Sequence, residues 1–109
     1  MDTVTAVSGS GPAYFFYFME ALEQAAIEEG LDENTARLLI FETALGAARL
    51  AIETRKSPSE LRDQVTSPGG TTEAAIQVLE QVGMSQNLKT AVTAARKRSA
   101  DLANSSGID

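Results

Sequence analysis

The sequence predicts an all-α fold, a bundle of about five helices. Three observations carry this. Apolar side chains recur at helical spacing in successive segments. Those segments are separated by residues that start or stop helices: Gly30, Asp32, Ser57-Pro58, Pro68-Gly69-Gly70 and Gly83. The alternating pattern of a strand is confined to one short stretch, Asp2 to Val7. With 109 residues, no internal repeat and no linker-like segment, the chain reads as one domain over residues 1–109.

Composition narrows the function before any motif does. Hydrophobic residues make up 43% and charged residues 22%, the balance of an ordinary folded domain. Fifteen acidic against nine basic residues give a net charge of −6, which disfavours nucleic acid and anionic membrane as partners. Cysteine is missing, so thiolate chemistry and a disulfide framework are excluded. Histidine is missing as well, which removes Ser-His and Cys-His nucleophile systems and the commonest metal ligand. No acidic set has metal-site spacing, so no metal is expected. The start of the chain lacks a basic and then apolar leader, which makes the cytoplasm the expected location.

Asp2 to Val7 reads as an extended lead-in to Ser8-Gly9-Ser10-Gly11-Pro12, a glycine turn. Strand, glycine loop and helix is the order of a dinucleotide-binding unit, but Tyr14 stands where a third glycine is needed and no second strand follows. The first helix is expected from about Pro12 to Glu29, with the proline in its first turn and Gly30 as a left-handed C-cap. It opens on Tyr14-Phe15-Phe16-Tyr17-Phe18-Met19, which holds five of the six aromatic residues in the chain. Six consecutive large apolar residues point all round a helix, so a small domain struggles to enclose them and a second subunit or a second domain is the economical cover. Glu20, Glu23, Gln24, Glu28 and Glu29 read as its solvated side.

Asp32 is placed to cap the second helix. Between Leu38 and Ile52 its only polar residues are Glu42, Thr43 and Arg49, a stretch too short and too polar to span a bilayer. It reads as a helix buried on nearly all sides, with Ala44, Gly46, Ala47, Ala48 and Ala51 allowing another backbone to cross closely. Ser57-Pro58-Ser59-Glu60 is a capping box with proline at the first helical position. A helix over about Thr72 to Val82 ends at Gly83. Ser85 is expected to cap the last helix, which carries Leu88, Val92, Ala95 and Leu102 at helical spacing, and the residues from Asn104 read as a frayed tail. Arg96-Lys97-Arg98 suits the C-terminal end of that helix better than a nucleic-acid patch.

The densest set of hydrogen-bonding residues lies between the third and fourth helices, in Thr66-Ser67-Pro68-Gly69-Gly70-Thr71-Thr72. Pro68 forces Ser67 out of helical geometry and the two glycines allow a tight turn. A helix beginning near Thr71 or Thr72 then directs free N–H groups and the positive end of its dipole at the same spot. Two readings stand: an ordinary turn with a threonine N-cap, or a site for a small anion such as a carboxylate. With no histidine or cysteine, any catalytic group must be a carboxylate, lysine, tyrosine or hydroxyl.

Two segments together resemble pyrroline-5-carboxylate reductase: Thr5 to Tyr14, containing Ser8-Gly9-Ser10-Gly11-Pro12, and Leu61 to Thr72, containing Ser67-Pro68-Gly69-Gly70-Thr71-Thr72. The resemblance runs from Thr3 to about Leu102 and covers the C-terminal, helical dimerisation half of that family. The N-terminal Rossmann domain is not matched. The resemblance implies an intertwined homodimer like the helical C-terminal domain of 6-phosphogluconate dehydrogenase-like reductases. It further implies reduction of Δ1-pyrroline-5-carboxylate to proline with NADPH or NADH, the cofactor being bound mainly by the Rossmann domain. Five dimers assembling into a decamer are part of the same implication.

By that resemblance Ser67 and the backbone of Gly69, Gly70 and Thr71 bind the substrate's carboxylate. Thr72 binds the substrate too, and its hydroxyl approaches the ring nitrogen as the catalytic group. Ser8, Gly9, Ser10, Gly11 and Pro12 lie near the nicotinamide end of the cofactor. Thr54 to Ser57 is assigned no role. Taken alone, the segment is expected to be inactive, since the cofactor domain is not in it. The alternative is a non-catalytic helical homodimerisation module with a structural Pro-Gly-Gly turn.

Overall fold

The computed structural model describes residues 1–107. All of its regular elements among those residues are helical: α1 (Asp2–Val4), which runs into a π-helical segment (Thr5–Gly9), then α2 (Gly11–Glu28), α3 (Glu33–Thr54), α4 (Pro58–Gln64), α5 (Thr71–Gln81) and α6 (Met84–Gly107). Among the described residues no helix is long and apolar enough to cross a membrane. The chain divides into two units, Tyr17–Ile76 in one, and Met1–Phe16 with the residues from Gln77 onward in the other. Each is taken by itself.

In the unit holding both ends of the chain, α1 and the π-helical segment pack against α6. The expected extended lead-in is therefore wrong, because Asp2 to Gly9 is helical. Tertiary contacts override a weak six-residue alternation. Asp2 accepts a 2.9 Å hydrogen bond from the Ser99 hydroxyl of α6, Ala6 is fully buried, and the Tyr14 hydroxyl donates to the Ala6 carbonyl at 2.5 Å. The widened winding is seen where the Ser10 N–H reaches the Thr5 carbonyl, five residues back, at 2.8 Å. The expected glycine turn at Ser8 to Pro12 is wrong for the same reason. Neither Gly9 nor Gly11 has a positive φ, and the chain passes with one bend at Ser10 into α2.

The last helix starts at Met84, so Ser85 lies inside it rather than capping it, and the Gly83 carbonyl accepts the Asn87 N–H at 2.9 Å. The tail expected to fray from Asn104 is helical as far as Gly107, and Ile108 and Asp109 lie outside the described residues.

In the unit Tyr17–Ile76, local signals in the sequence set the helix ends. α2 closes on Gly30 at φ 111°, with the Gly30 N–H bonded to the Ile27 carbonyl and the Leu31 N–H to the Ala26 carbonyl, the paired bonds of a Schellman cap. Asp32 caps α3 by accepting from the Thr35 N–H at 3.1 Å and from its hydroxyl at 2.6 Å. Those bonds hold the Asp32 carboxyl below its ordinary range. The capping box at α4 is complete: the Ser57 hydroxyl accepts the Glu60 N–H at 3.1 Å, and the Glu60 carboxylate takes the Ser57 N–H at 3.5 Å. Arg55 ends α3 in the left-handed conformation, φ 58°.

Glu23 corrects its assignment to a solvated side. The Arg37 guanidinium of α3 grips it with two bonds, Nε to Oε2 at 2.9 Å and Nη2 to Oε1 at 2.8 Å, leaving the Glu23 side chain only 21% exposed. Arg37 also reaches Glu33, one helical turn back, at 3.1 Å.

The helices leave much of their apolar surface open. Ala36 and Ile40 are buried in α3, whereas Leu38, Leu39, Phe41, Leu45, Leu50 and Ile52 are exposed. In α2, Phe15 is 68%, Phe16 66% and Tyr17 74% exposed. The expectation that α3 is covered on nearly all sides thus fails within one chain, and so does the expected close crossing at Gly46, where an added Cβ would meet nothing within 4 Å. A single copy of the chain does not supply the cover.

The Arg37 hydrogen bonds, and then its charge, hold the Glu23 carboxyl below its ordinary value of 4.5. A carboxyl lowered on folding stabilises the fold above pH 4.5, and that stability is lost as pH falls through the lowered value. Glu23→Gln is expected to lower the thermal midpoint at neutral pH and to flatten its fall between about pH 5 and pH 3. Thermal unfolding followed by circular dichroism across that range checks this.

Candidate functional site

The loop between α4 and α5 is built by three backbone events. First, α4 unwinds at Val65: the Val65 N–H reaches the Arg62 carbonyl and the Thr66 N–H the Asp63 carbonyl, both at 3.2 Å. The Thr66 hydroxyl is spent on the Arg62 carbonyl at 2.5 Å. Second, Ser67-Pro68-Gly69-Gly70 forms a four-residue turn closed by the Gly70 N–H on the Ser67 carbonyl at 3.1 Å. Proline at its second position and Gly69 at φ 72° in the third give the pattern of a type II turn. A Cβ at Gly70 would come within 3.2 Å of the Ser67 carbonyl oxygen. Third, the Gly70 carbonyl accepts the Ala74 N–H at 3.3 Å and α5 begins at Thr71.

That start decides what the helix offers. Its N-cap position is Gly70, which has no side chain to cap with, so the reading of an ordinary threonine N-cap does not hold. Thr71 and Thr72 occupy the first two helical positions instead. The N–H groups of Thr71, Thr72 and Glu73 have no acceptor among the described hydrogen bonds. The comparison with α4 is direct: Ser57 fills at that helix the role that nothing fills at α5. The position of a capping oxygen is open, and a ligand carboxylate has the charge and the acceptors to occupy it.

The structure brings Ser67, Gly69, Gly70, Thr71 and Thr72 together in this loop and the first turn that follows it. Not all of their N–H groups are free. Gly70 is bonded within the turn, and the Gly69 N–H donates to Glu73 Oε1 at 3.1 Å. Ser8 and Gly9 lie in the π-helical segment, Ser10 at the bend, and Gly11 and Pro12 at the start of α2. One residue with a part in this geometry, Glu73, was not singled out from the sequence as an interacting group. Glu73 had a signal, its place three residues after the cap position, where an acidic side chain reaches back.

Fold and loop together give helices with exposed apolar faces and, at α5, a start whose first N–H groups have no acceptor among the described hydrogen bonds. Over residues 1–102 the chain matches the family described as pyrroline-5-carboxylate reductase dimerisation, and it belongs to that family. It is 50% identical over 107 residues to the pyrroline-5-carboxylate reductase of Pseudomonas aeruginosa, covering 98% of this chain and 39% of that protein. A solved pyrroline-5-carboxylate reductase from Coxiella burnetii superimposes with a TM-score of 0.89 at 52% identity, over 93% of this chain and 37% of that one. The Plasmodium falciparum pyrroline carboxylate reductase, solved with NADP bound, superimposes with a TM-score of 0.88 at 33% identity, over 91% and 38%. The chain thus spans about two-fifths of the length of the relatives it matches.

Gly69→Ala is expected to destabilise the fold by about 1–2 kcal/mol, because an alanine is driven into the left-handed region. Gly69→Asn, better tolerated there, should cost less. Denaturant unfolding of both variants against wild type checks the order.

Proposed function

We propose that this chain is the substrate-binding and self-associating part of an enzyme that reduces Δ1-pyrroline-5-carboxylate to proline with NADPH or NADH. The observation that carries the reading is the open start of α5, uncapped and followed by two threonine hydroxyls, in a member of the reductase's dimerisation family. The substrate's carboxylate takes the place of the missing capping oxygen. It accepts from the Ser67 hydroxyl and the Thr71 N–H, on a turn that Gly69 and Gly70 shape. The Thr72 hydroxyl faces the ring nitrogen and orients the imine for attack at the adjacent carbon.

The nicotinamide cofactor supplies the hydride, and a Rossmann domain outside this segment binds it. Ser8 to Pro12 belong on the side nearest the nicotinamide. Reduction of a C=N bond that is already electrophilic depends mainly on positioning, so a site without histidine suffices. A second copy of the chain covers the exposed apolar faces of α2 and α3, and dimers of this kind assemble further, five to a decamer. The cytoplasm suits a chain without cysteine. The segment by itself is inactive for want of the cofactor domain.

The test is Thr72→Ala in the full-length reductase that carries this sequence. Turnover is expected to fall by about 10²-fold, in the range of a lost proton-positioning group, with the dimer intact by sedimentation. Unchanged turnover would remove Thr72 from the mechanism and favour the module without catalysis.

A further inference from the structure

The substrate loop contains a carboxylate of its own. Glu73 is the third residue of α5, half-buried, and it reaches back past the N-cap Gly70 to the Gly69 N–H at 3.1 Å. At α4 the equivalent Glu60 bonds to the N-cap N–H itself, as a capping box does. At α5 the Gly70 N–H is already spent on the Ser67 carbonyl, so Glu73 takes the next one back. No other acceptor for Gly69 is present among the described hydrogen bonds, and Gly69 is the residue held at φ 72°.

We infer that Glu73 is a positioning residue of the substrate loop: by occupying the Gly69 N–H it fixes the turn, and leaves the Ser67 hydroxyl and the Thr71 N–H as the donors presented to the substrate's carboxylate. The inference rests on the proposed reductase reading of the loop. Without Glu73 the Gly69 N–H loses its acceptor and the two-glycine turn is freed to leave the competent geometry. Apparent affinity then falls in proportion to the fraction of molecules that keep it.

The experiment uses the full-length reductase carrying this sequence, with Glu73→Ala and Glu73→Gln. It reads KM and kcat for pyrroline-5-carboxylate, KM for NADPH, and hydrogen exchange of residues 66–73. For Glu73→Ala, KM for pyrroline-5-carboxylate is expected to rise by about 3- to 10-fold, the size of one ordinary hydrogen bond lost. Its kcat should stay within about two-fold, its KM for NADPH unchanged, and exchange in 66–73 faster. Glu73→Gln, which keeps an acceptor at the same reach, should return KM and exchange to near wild type.

An unchanged or lowered KM in Glu73→Ala overturns the inference, and so does a Glu73→Gln variant as impaired as alanine. The two levels of the argument separate on exchange. Faster exchange with an unmoved KM means that Glu73 holds the loop but the loop does not bind the substrate's carboxylate, which overturns the reductase reading of the site. Unmoved exchange with an unmoved KM removes Glu73 alone.

Discussion

The chain has more apolar surface on its helices than it covers. Ala6 and Ala36 are fully buried and Ile40 nearly so, while the aromatic start of α2 and most of the large side chains of α3 lie open. Covering a large apolar side chain contributes about 1.5–3 kcal/mol, so a run such as Phe15-Phe16-Tyr17-Phe18 is a strong drive toward association. Monomers rarely leave apolar surface of that extent in water. A second copy of the same chain is the cover that a dimerisation family implies. The surface at Gly46 is likewise open, an added Cβ there meeting nothing within 4 Å.

The α4–α5 loop follows a different logic. It is held locally, by a proline, two glycines and hydrogen bonds between residues close in sequence. That suits a ligand site, where the groups that bind must remain accessible while the backbone that carries them is fixed. The same segment shows how one motif yields two outcomes. Ser57 and Glu60 complete a capping box at α4, closing that helix end. At α5 the acidic half is present and the hydroxyl half is replaced by a glycine, and the first N–H groups keep no acceptor among the described hydrogen bonds.

Features that depend on a few adjacent residues were legible in the sequence: the Ser57 box, the Asp32 cap, the Gly30 stop and the turn at Pro68-Gly69-Gly70. Features that depend on distant partners were not. Asp2 to Val7 alternates like a strand, yet is helical because Ser99, ninety-seven residues away, and Tyr14 bond to it. Glu23 looked solvated because its partner Arg37 lies fourteen residues on, beyond any i,i+4 rule. Ser85 looked like a cap, but Gly83 turns the chain two residues earlier. At the site, the residues were readable and their bonding was not: which N–H groups are free depends on where α5 starts, and one residue's shift decides it.

The measurement that bears most directly on this account is sedimentation of the 109-residue chain over a concentration series, with its helicity followed in parallel. A shared apolar core predicts a folded species of about 23 kDa, twice 11.5 kDa, or a larger multiple, persisting on dilution and losing helicity where it dissociates. A folded, helical species of 11.5 kDa at every concentration would contradict it, since the open faces of α2 and α3 would then need no partner.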